Sequence, residues 1–437
     1  MIDYPGPKAR SIIERMRAVE GAGPRTAAGD PLVVDHAFGS TLVDPDGNAF
    51  TDLGGSFAAS TIGHSHPDAV AAVSAQVGRA AHVSSAAISD QRVAFEEDLV
   101  AIAPTGLDRV LLGISGADAN DTALKLARTA TGRREVLAFS GGYFGRAGGV
   151  VGLSGKSRFR TSVGREAEAH FLPYPDAYRW PAGLGGPAAA CDGALSLVRA
   201  ALEDPGSGIG PLAAVVVEPV QGSGGIVVPP DGFLQGLRAL CDRHDVPLIF
   251  DEIQSGFGRT GRMWAAEHWG VVPDLMTVGK GVGGGLALSA LVGRAGMMEH
   301  WAPGTHTSTF LGNAVNLAAG RAAIAVLQRE RLPQRSARLG ETVLARLSES
   351  LAAAPHVGEV RGLGLFIGIE LVRDRETREP DPDRCAAVRR WAFERGVVVA
   401  VAGRYENVVK LSPPLTIEED RLTAAVEVVI EAIGEAA

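Results

Sequence analysis

Short apolar runs alternate with amphipathic segments between about residues 66 and 320. Five of these runs are continuous, which is typical of strands buried on both faces of a sheet. They are Val110–Ile114, Val136–Phe139, Ala213–Val217, Val246–Phe250 and Leu275–Val278. The segment Gly232–His244 has a helical period instead. We therefore predict an α/β fold whose large domain has a mainly parallel central sheet with helices on both faces. In such sheets, ligands bind beyond the carboxyl ends of the strands.

The two ends of the chain follow a different pattern. Residues 31–52 alternate between polar and apolar positions around a turn at Pro45–Asn48, which predicts a small hairpin. A long helical pattern over Ala318–Ala354 precedes the strand-like segment Gly364–Leu371. We expect both ends to form one smaller α+β domain. The predicted division is an N-terminal segment of the small domain at 1–65, a large domain at 66–320 and a C-terminal small domain at 321–437.

Composition and charge exclude several classes of partner. The chain has 437 residues, of which 46% are hydrophobic, and a formal net charge of −8 without a Lys/Arg-rich tract. This argues against a nucleic-acid partner and against an anionic membrane surface. The opening residues 1–10 lack a charged segment followed by an apolar stretch, and no uncharged apolar run of 18 residues follows, so we expect neither a secretion signal nor a membrane-spanning helix. Cys191, Cys241 and Cys385 lie far apart without metal-type spacing, which favours a reduced, cytoplasmic protein.

Lysine is scarce, and one lysine directly follows a predicted strand. The lysines are Lys8, Lys125, Lys156, Lys280 and Lys410. Lys280 follows the run Leu275–Gly279 and precedes several glycines, which would let a bulky group approach. An ammonium at a buried strand end is costly unless it is paired or deprotonated, and Schiff-base chemistry needs an amine with a lowered pKa. Lys280 is therefore a candidate catalytic amine.

Asp251 directly follows another predicted strand, so its carboxylate projects from the same sheet edge as Lys280. A pyridoxal phosphate site needs a carboxylate at the pyridine nitrogen, because a protonated ring withdraws electrons from the substrate carbanion. A helix cap or a metal ligand is the alternative role. Strand alternation points Glu252 to the face of the sheet opposite to Asp251. No other acidic cluster with the spacing of metal ligands accompanies Asp251. We therefore predict no metal site.

Two more segments follow predicted strands. Ser115–Asp121 leads into a helical pattern, so Gly116 and Ala117 would begin a helix whose free N–H groups suit a phosphate. An ordinary capped helix explains the same pattern. Tyr143 lies in the glycine-rich segment Gly141–Arg146, where an aromatic ring can lie flat against a cofactor ring. A core aromatic in a loop is the alternative.

Together these residues resemble the class III (subgroup II) PLP-dependent aminotransferases. The most specific part of the resemblance is Asp251–Gly261 followed by Lys280. Other similar segments are Gly63–Pro67, Ser115–Arg128, Glu218–Gly222, Thr307–Asn313, Arg361–Glu370 and Pro413–Ile417. The resemblance extends from about residue 30 to the end of the chain. It includes 4-aminobutyrate and ornithine-type aminotransferases and the related class III racemases.

The resemblance implies fold type I of the PLP-dependent transferases and a homodimer with active sites at the subunit interface. Lys280 matches the lysine that holds pyridoxal 5'-phosphate as a Schiff base. Asp251 matches the partner of the pyridine nitrogen. The implied reaction takes an amine donor and a carbonyl acceptor, and the freed amine of Lys280 moves the proton at the donor carbon.

Other cofactor contacts are also implied by the resemblance. Gln254 matches a residue near the ring hydroxyl, and Tyr143 matches the aromatic residue that stacks on the ring. Gly116 and Ala117 match the phosphate cradle. Thr309 is similar to a threonine that reaches the phosphate from the partner subunit.

Four positions bear on the substrate, and the resemblance also counts Glu218 among the cofactor contacts. Many relatives carry His where this chain has Phe144. Relatives that bind an α-carboxylate usually carry Arg where this chain has Lys410, and Lys offers a point charge instead of a planar fork. Glu218 matches a glutamate that can pair with that cation, so we expect a Glu218–Lys410 ion pair. Arg146 matches an arginine that holds a distal carboxylate in 4-aminobutyrate enzymes and is structural in other relatives.

Two substrate classes follow from these positions. One is an ω-amino acid or amine donor with glutamate or 2-oxoglutarate chemistry. The other lacks an α-carboxylate, as in an amino-sugar or aminocyclitol aldehyde of secondary metabolism. A racemase or epimerase on the same fold is the alternative function, since Lys280 would serve it equally. A PLP-binding regulator would need a DNA-binding appendage, and the sequence has no basic helix-turn-helix pattern.

Overall fold

The computed structural model describes residues 1–23, 30–84, 87–180 and 186–435. The helices of this part of the chain are α1 (Pro7–Val19), α2 (Gly55–Ala58), α3 (Pro67–Arg79), α4 (Asp90–Ile102), α5 (Gly116–Thr131), α6 (Ser157–Thr161), α7 (Pro187–Glu203), α8 (Phe233–Arg243), α9 (Ala295–Met298), α10 (Ala314–Arg329), α11 (Leu332–Leu351), α12 (Pro382–Glu394) and α13 (Glu419–Glu435). Short 3₁₀ helices lie at Gly148–Leu153, Ala265–His268 and Lys280–Gly283.

The strands are β1 (His36–Phe38), β2 (Thr41–Val43), β3 (Ala49–Asp52), β4 (Arg109–Gly113), β5 (Glu135–Phe139), β6 (His170–Leu172), β7 (Leu212–Val217), β8 (Leu248–Asp251), β9 (Leu275–Val278), β10 (Ser289–Gly293), β11 (Val357–Leu363), β12 (Phe366–Leu371), β13 (Val397–Val398), β14 (Ala400–Ala402) and β15 (Val408–Leu411).

The central sheet has the strand order β4-β10-β9-β8-β7-β5-β6. Strands β9, β8, β7, β5 and β6 pair in parallel. Strand β10 runs antiparallel to both of its neighbours, β4 and β9. The predicted mainly parallel sheet is therefore confirmed, and each predicted strand lies within one or two residues of an observed one.

Both faces of the central sheet are covered. In β7, Val215 and Val217 pack in a core cluster that contains residues of α7 and α8. The alternate residues of that strand, Ala214 and Val216, pack in a second cluster with residues of α5. This alternation is the geometric reason why a strand buried on both sides has a continuous apolar sequence.

Two smaller sheets lie in the terminal parts of the chain, and one of them joins both ends. The sheet β1-β2-β3-β13 pairs β13 in parallel with β3, so residues 397–398 lie beside residues 51–52. The predicted N-terminal hairpin is formed by β2 and β3. The other sheet has the order β11-β12-β15-β14, with antiparallel pairs. The domain boundaries stay a prediction, and α10 passes through the one proposed at residue 320.

The single long helical stretch predicted over Ala318–Ala354 is wrong. The structure has two helices there, and α10 ends before Glu330 while α11 begins after Arg331. Arg331 takes a left-handed backbone conformation with φ of 50°. Pro333, in the first turn of α11, lacks the N–H that a continuous helix would use. The apolar period continues across this break, which is why the sequence pattern conceals it.

No helix in the described parts of the chain is both long and apolar enough to cross a membrane.

Candidate active site

Three ionisable residues follow neighbouring parallel strands at one edge of the central sheet. Glu218 follows β7, Asp251 ends β8, and Lys280 lies two residues beyond β9. Strands β7, β8 and β9 are adjacent and parallel, with Asp251 in register with Thr277. The carboxyl ends of these strands therefore bring the three side chains to the same edge, as expected for a ligand site of this type of sheet.

Lys280 has an unusual backbone for a long side chain. Its φ is 48°, in the left-handed region, and strain of this kind is concentrated at functional sites. Burial lowers the pKa of its amine to about 8, against the opposing attraction of Asp251 and Glu218. Among the described residues, no hydrogen bond or ion pair to Lys280 Nζ is present. Near neutral pH, the amine of Lys280 is therefore neutral in a larger fraction of molecules than the amine of an exposed lysine is.

Asp251 is a buried carboxylate with 4% of its surface exposed. Its Oδ2 accepts a hydrogen bond of 2.8 Å from Asn120 Nδ2, and its Oδ1 accepts one of 2.9 Å from the backbone N–H of Ile253. Burial raises the pKa of Asp251 to about 6, although both hydrogen bonds oppose that shift. A cationic group placed against this carboxylate would restore its ionised form.

Asn120 and Thr277 were not among the predicted site residues. Asn120 is 3% exposed, and its Oδ1 accepts a hydrogen bond of 2.8 Å from the hydroxyl of Thr277, which is fully buried. Thr277 is the polar residue inside the apolar strand β9, and Asn120 is an uncharged amide on the buried face of α5. A polar residue inside an otherwise apolar strand was the signal that could have found this pair.

The start of α5 leaves backbone donors without acceptors. The hydroxyl of Ser115 accepts from the N–H of Asp118, and the Asp118 carboxylate accepts from the N–H of Ile114. For the N–H groups of Gly116 and Ala117, no acceptor is present among the described residues. Two free N–H groups at the positive end of a helix of 16 residues can bind an anion such as a phosphate.

The loop after β5 packs directly on this helix start. Gly145 has φ of 120°, and a Cβ placed there would lie 2.5 Å from the Cβ of Ala117. Only glycine allows this approach. Tyr143 lies in the same loop, half-buried, and its ring meets the ring of Phe159 edge to face at 5.6 Å between centroids.

Glu218 is held by backbone donors. Its Oε1 accepts from the N–H of Tyr143 and its Oε2 from the N–H of Gly222, both at 2.9 Å. Burial, followed by repulsion from Asp251, raises the pKa of Glu218 to about 7. The expected Glu218–Lys410 ion pair is not formed, and this prediction is corrected. The reason is that both carboxylate oxygens already have backbone partners, which a comparison of side chains cannot reveal.

Lys410 lies in β15 and is 3% exposed. Its Nζ lies 5.5 Å from the centre of the Phe366 ring, and no anion within ion-pair distance is present among the described residues. Burial lowers the pKa of Lys410 well below its usual value, and repulsion from Lys280 adds to the effect. The chain thus places a second buried amine in the electrostatic field of Lys280.

Gln254 lies beside the turn after β7. Its Nε2 donates a hydrogen bond of 3.2 Å to the carbonyl of Phe57, which is 75% exposed. A Cβ on Gly222 would lie 1.7 Å from Gln254 Oε1, so the amide occupies the space that a side chain at Gly222 would fill. Gln254 therefore connects the N-terminal segment with the sheet edge.

The remaining predicted site residues lie in different surroundings. Phe144 is 2% exposed and packs in the core cluster of α5, so its ring supports the loop. The guanidinium of Arg146 is exposed and lies 4.1 Å from the centre of the Phe159 ring. Thr309 is exposed in this single chain. Within the described residues, no group of three or more potential ligands could hold a metal ion.

A comparison with protein families identifies the family of this chain. Residues 24–433 match the family model described as aminotransferase class-III. The chain is a class-III aminotransferase. The membership predicted from Asp251–Gly261 and Lys280 is thereby confirmed, together with PLP-dependent transferase fold type I.

Several characterised relatives align with this class-III aminotransferase over nearly their full length. The 4-aminobutyrate aminotransferase of Mycobacterium leprae is 37% identical over 99% of this chain and 97% of its own. The 5-aminovalerate aminotransferase of Pseudomonas aeruginosa is 35% identical over 93% of this chain and 94% of its own. A leucine/methionine racemase of Thermococcus litoralis is 34% identical over 98% of this chain and 96% of its own.

Solved structures agree with this membership. An amine transaminase from an uncultivated Pseudomonas species, in its PLP-bound form, has a TM-score of 0.87 and 30% identity, covering 96% of this chain and 99% of that one. The ornithine aminotransferase of Toxoplasma gondii has a TM-score of 0.84 and 30% identity, covering 97% of this chain and 94% of that one.

Pyridoxal phosphate is the cofactor of this class-III aminotransferase, and the groups at the sheet edge fit it. The free N–H groups that begin α5 suit the phosphate. The buried carboxylate of Asp251 suits a protonated pyridine nitrogen, and the unpartnered amine of Lys280 suits the aldehyde. Each of these groups lacks, within the described residues, the partner that the cofactor would supply.

Proposed function

We propose that this aminotransferase moves the terminal amino group of a short ω-amino acid to a keto acid. The observation that carries this proposal is the buried amine of Lys410, which has no anionic partner among the described residues. Burial disfavours the charged form of this amine, and a ligand with a negative charge would favour it. A substrate carboxylate is such a charge, and relatives named for 4-aminobutyrate and 5-aminovalerate act on substrates of this class.

Lys280 performs the proton transfers in this proposal. Its Nζ would hold the aldehyde carbon of the cofactor until the donor amine replaces it. The freed amine would then accept the proton from the donor carbon and donate it to the carbon that carried the aldehyde of the cofactor. When bound, pyridoxal phosphate supplies the electron sink that stabilises negative charge at that carbon.

The neighbouring residues hold the cofactor in place. Asp251 would bind the proton of the pyridine nitrogen, and the N–H groups of Gly116 and Ala117 would bind the phosphate. Tyr143 would cover the ring, and Gln254 would lie near the ring hydroxyl. Support comes from the position of these groups around one sheet edge. Glu218, held by backbone N–H groups next to Tyr143, borders the same space.

The two cationic side chains then distinguish the substrate ends. Lys410 neutralises one carboxylate deep in the site, while Arg146, exposed over Phe159, neutralises a distal carboxylate at the entrance. Phe144 has no substrate contact in this proposal, because its ring packs in the core. A keto acid with two carboxylates would use both cations.

We expect Lys410→Met to separate substrate recognition from stability. Without the ammonium, the KM for 2-oxoglutarate should rise by about ten- to hundred-fold, since a hydrogen bond to a charged group is lost. The same variant should be more stable by about 1–3 kcal/mol, because a buried unpaired polar group is removed. Steady-state kinetics and denaturant unfolding measure the two effects. Lys410→Arg is the matched control, and it should retain the acceptor. An unchanged KM in Lys410→Met would exclude a carboxylate at this position.

The proposed function is tested by single-turnover reactions with separate amine donors. Protein loaded with pyridoxal phosphate is mixed with 4-aminobutyrate, 5-aminovalerate, ornithine or an amino sugar, and the loss of the visible cofactor band is followed. We expect the ω-amino acids to convert the cofactor and the amino sugar to leave it unchanged. Conversion by the amino sugar alone would replace the proposal by the class of substrates without an α-carboxylate.

We also propose that the enzyme is a homodimer in which Thr309 completes the partner's phosphate site. The exposure of Thr309 in the single chain supports this. Two apolar side chains are also exposed: Phe310, the next residue, at 57%, and Ile114, two residues before the start of α5, at 41%. Exposed apolar residues beside a polar site are typical of a surface covered by a second copy. The cytoplasmic location stays a prediction from the cysteine pattern.

Coexpression of two defective chains tests this shared site. In a dimer of Lys280→Ala with Thr309→Asp, one site would combine both defects and the other would be intact. We expect random pairing to restore roughly one quarter of the wild-type activity, because half of the dimers are mixed and each has one good site. If Thr309 served its own chain, mixing would restore nothing. A chain that carries both substitutions, expressed alone, is the inactive control.

A racemase is the second candidate, because the leucine/methionine racemase of Thermococcus litoralis is nearly as similar as the aminotransferases. The two functions differ in their products. Racemisation would incorporate solvent deuterium at the substrate carbon without forming an oxo product. Amino transfer must form one oxo product for each amine consumed, so product analysis in deuterium oxide decides between them.

A further inference from the structure

Asn120 joins separate parts of the active site through one buried amide. Its Nδ2 donates 2.8 Å to Asp251 Oδ2 and 3.0 Å to the carbonyl of Phe144, and its Oδ1 accepts 2.8 Å from Thr277 Oγ1. We propose that Asn120, oriented by Thr277, is a positioning residue that keeps Asp251 ionised and aligned for the cofactor. This inference rests on the proposed role of Asp251.

The orientation of the Asn120 amide follows from the chemistry of its partners. The Phe144 carbonyl only accepts hydrogen bonds, and so does an ionised Asp251 carboxylate, so the amide nitrogen must face both of them. The amide oxygen is then left for the Thr277 hydroxyl, which donates. Every donor and acceptor of the amide has a partner except one oxygen lone pair. Such a fully bonded buried network allows one arrangement and excludes the rotated one.

Thr277 is placed to orient this amide. It lies in β9 in register with Asp251 of the neighbouring strand β8, and both are buried. Its side chain therefore reaches the amide from the same layer as the carboxylate. Without the hydroxyl, the amide oxygen would lose its donor, and only Asp251 and Phe144 would hold the amide in this orientation.

The hydrogen bond from Asn120 matters because Asp251 is otherwise poorly solvated. Burial favours the neutral acid, whereas the bond from Asn120, the bond from the backbone of Ile253 and the attraction of Lys280 favour the carboxylate. Loss of the Asn120 donor would leave Asp251 with the bond from Ile253 and raise its pKa further. A neutral Asp251 would bind a protonated pyridine ring less tightly.

The second bond of the amide fixes the loop that carries Tyr143. The Phe144 carbonyl follows Tyr143 directly, and the N–H of Tyr143 donates to Glu218. The same amide therefore connects α5, whose first N–H groups are free, with the loop and with Asp251. Removal of the Asn120 amide should therefore weaken cofactor binding more than the loss of its hydrogen bond to Asp251 alone would.

We test this network by cofactor binding to the apoprotein, measured by fluorescence titration with pyridoxal phosphate. Asn120→Leu should weaken binding by about ten- to hundred-fold, because a hydrogen bond to a charged group is lost. Thr277→Val should weaken it by about three- to tenfold. Thr277→Ser, which keeps the hydroxyl, should bind as the wild type. Thr129→Val, on the exposed side of α5, is the control and should have no effect.

A second measurement separates positioning from simple destabilisation. The pKa of Asp251 is followed in the cofactor-free protein by ¹³C NMR of labelled aspartate, with Asp251→Asn to assign the signal. We expect the pKa to lie above about 6 in Asn120→Leu and in Thr277→Val. A lower melting temperature with an unchanged Asp251 titration would overturn the proposal, and so would equal effects of Thr277→Val and Thr277→Ser.

Failure of this inference can be told apart from failure of the proposed function. If Asp251→Asn weakens cofactor binding while the Asn120 and Thr277 variants do not, the network has no positioning role and the function stands. If Asp251→Asn binds the cofactor as the wild type does, the assigned role of Asp251 fails, and the inference fails with it.

Discussion

We expect Lys280→Ala to lose roughly 10⁴-fold in the rate of amino transfer, because the residue that moves the proton at the donor carbon is absent. The fold should persist, since the removed amine is half-buried and makes no hydrogen bond to a described residue. Single-turnover conversion of the cofactor by an amine donor measures the loss. Borohydride reduction should also fail to attach the cofactor to this variant.

The matched control for this variant is Lys125→Ala. Lys125 lies on α5, 49% exposed, in an ion pair of 2.9 Å with Asp121. Exposed pairs of this kind contribute little to stability, so its replacement should leave turnover unchanged. Full activity of Lys280→Ala would contradict the mechanism, whereas an equal loss in both variants would point to a general effect of lysine replacement.

The pH dependence of the cofactor-free protein provides a further check on Lys280. Burial lowers its pKa to about 8, so the amine is mostly protonated below that pH and mostly neutral above it. Only the neutral amine attacks an aldehyde or an acylating reagent. The rate of modification at Lys280 should therefore rise with pH up to about 8 and level off above it.

The strands that position the site were predictable because burial on both faces determines the sequence of each strand by itself. A strand covered on both faces is apolar at nearly every position, so β5, β7, β8 and β9 appear as nearly continuous apolar runs. The positions of Asp251 and Lys280 follow from those runs, since each comes at or just after a strand end. Their shared edge required only that the sheet be parallel.

Two strands of the same sheet were not predicted. In β10, the sequence SALVG is short and follows a glycine-rich segment, and nothing in it shows that the strand runs antiparallel. In β6, three half-buried residues at the edge of the sheet have no distinct pattern. Strand direction and edge pairing depend on residues distant in the chain, which a local pattern does not contain.

The error at Glu218 and Lys410 has a related cause. The two residues have opposite charges and lie in one site, so an ion pair was the natural expectation. The structure instead satisfies Glu218 with backbone N–H groups of Tyr143 and Gly222. Backbone donors are present at every residue and are selected only by the path of the chain. Side-chain identity alone therefore could not predict which partner Glu218 would take.

Asp251→Asn should weaken cofactor binding by roughly 10²- to 10³-fold, because a protonated pyridine ring would face a neutral amide in a buried site. The side chain keeps its shape, so the protein should fold. The single-turnover rate should fall by a larger factor than the binding constant. A pyridine ring without a carboxylate partner holds its proton less well, and it therefore withdraws electron density from the reacting carbon less strongly. Fluorescence titration of the apoprotein and single-turnover rates measure the two losses.

Glu252→Gln is the matched control for that variant. Glu252 is the next residue, equally buried, but its carboxylate accepts from the hydroxyl of Ser255 and the N–H of Ala266, away from Asp251's partners. Burial raises the pKa of Glu252 to about 7, so the neutral amide resembles a form that the protein already populates near neutral pH. We expect Glu252→Gln to bind the cofactor as the wild type does. Equal losses in both variants would mean that the sheet edge tolerates no change of charge at either position, and the specific role of Asp251 would then be contradicted.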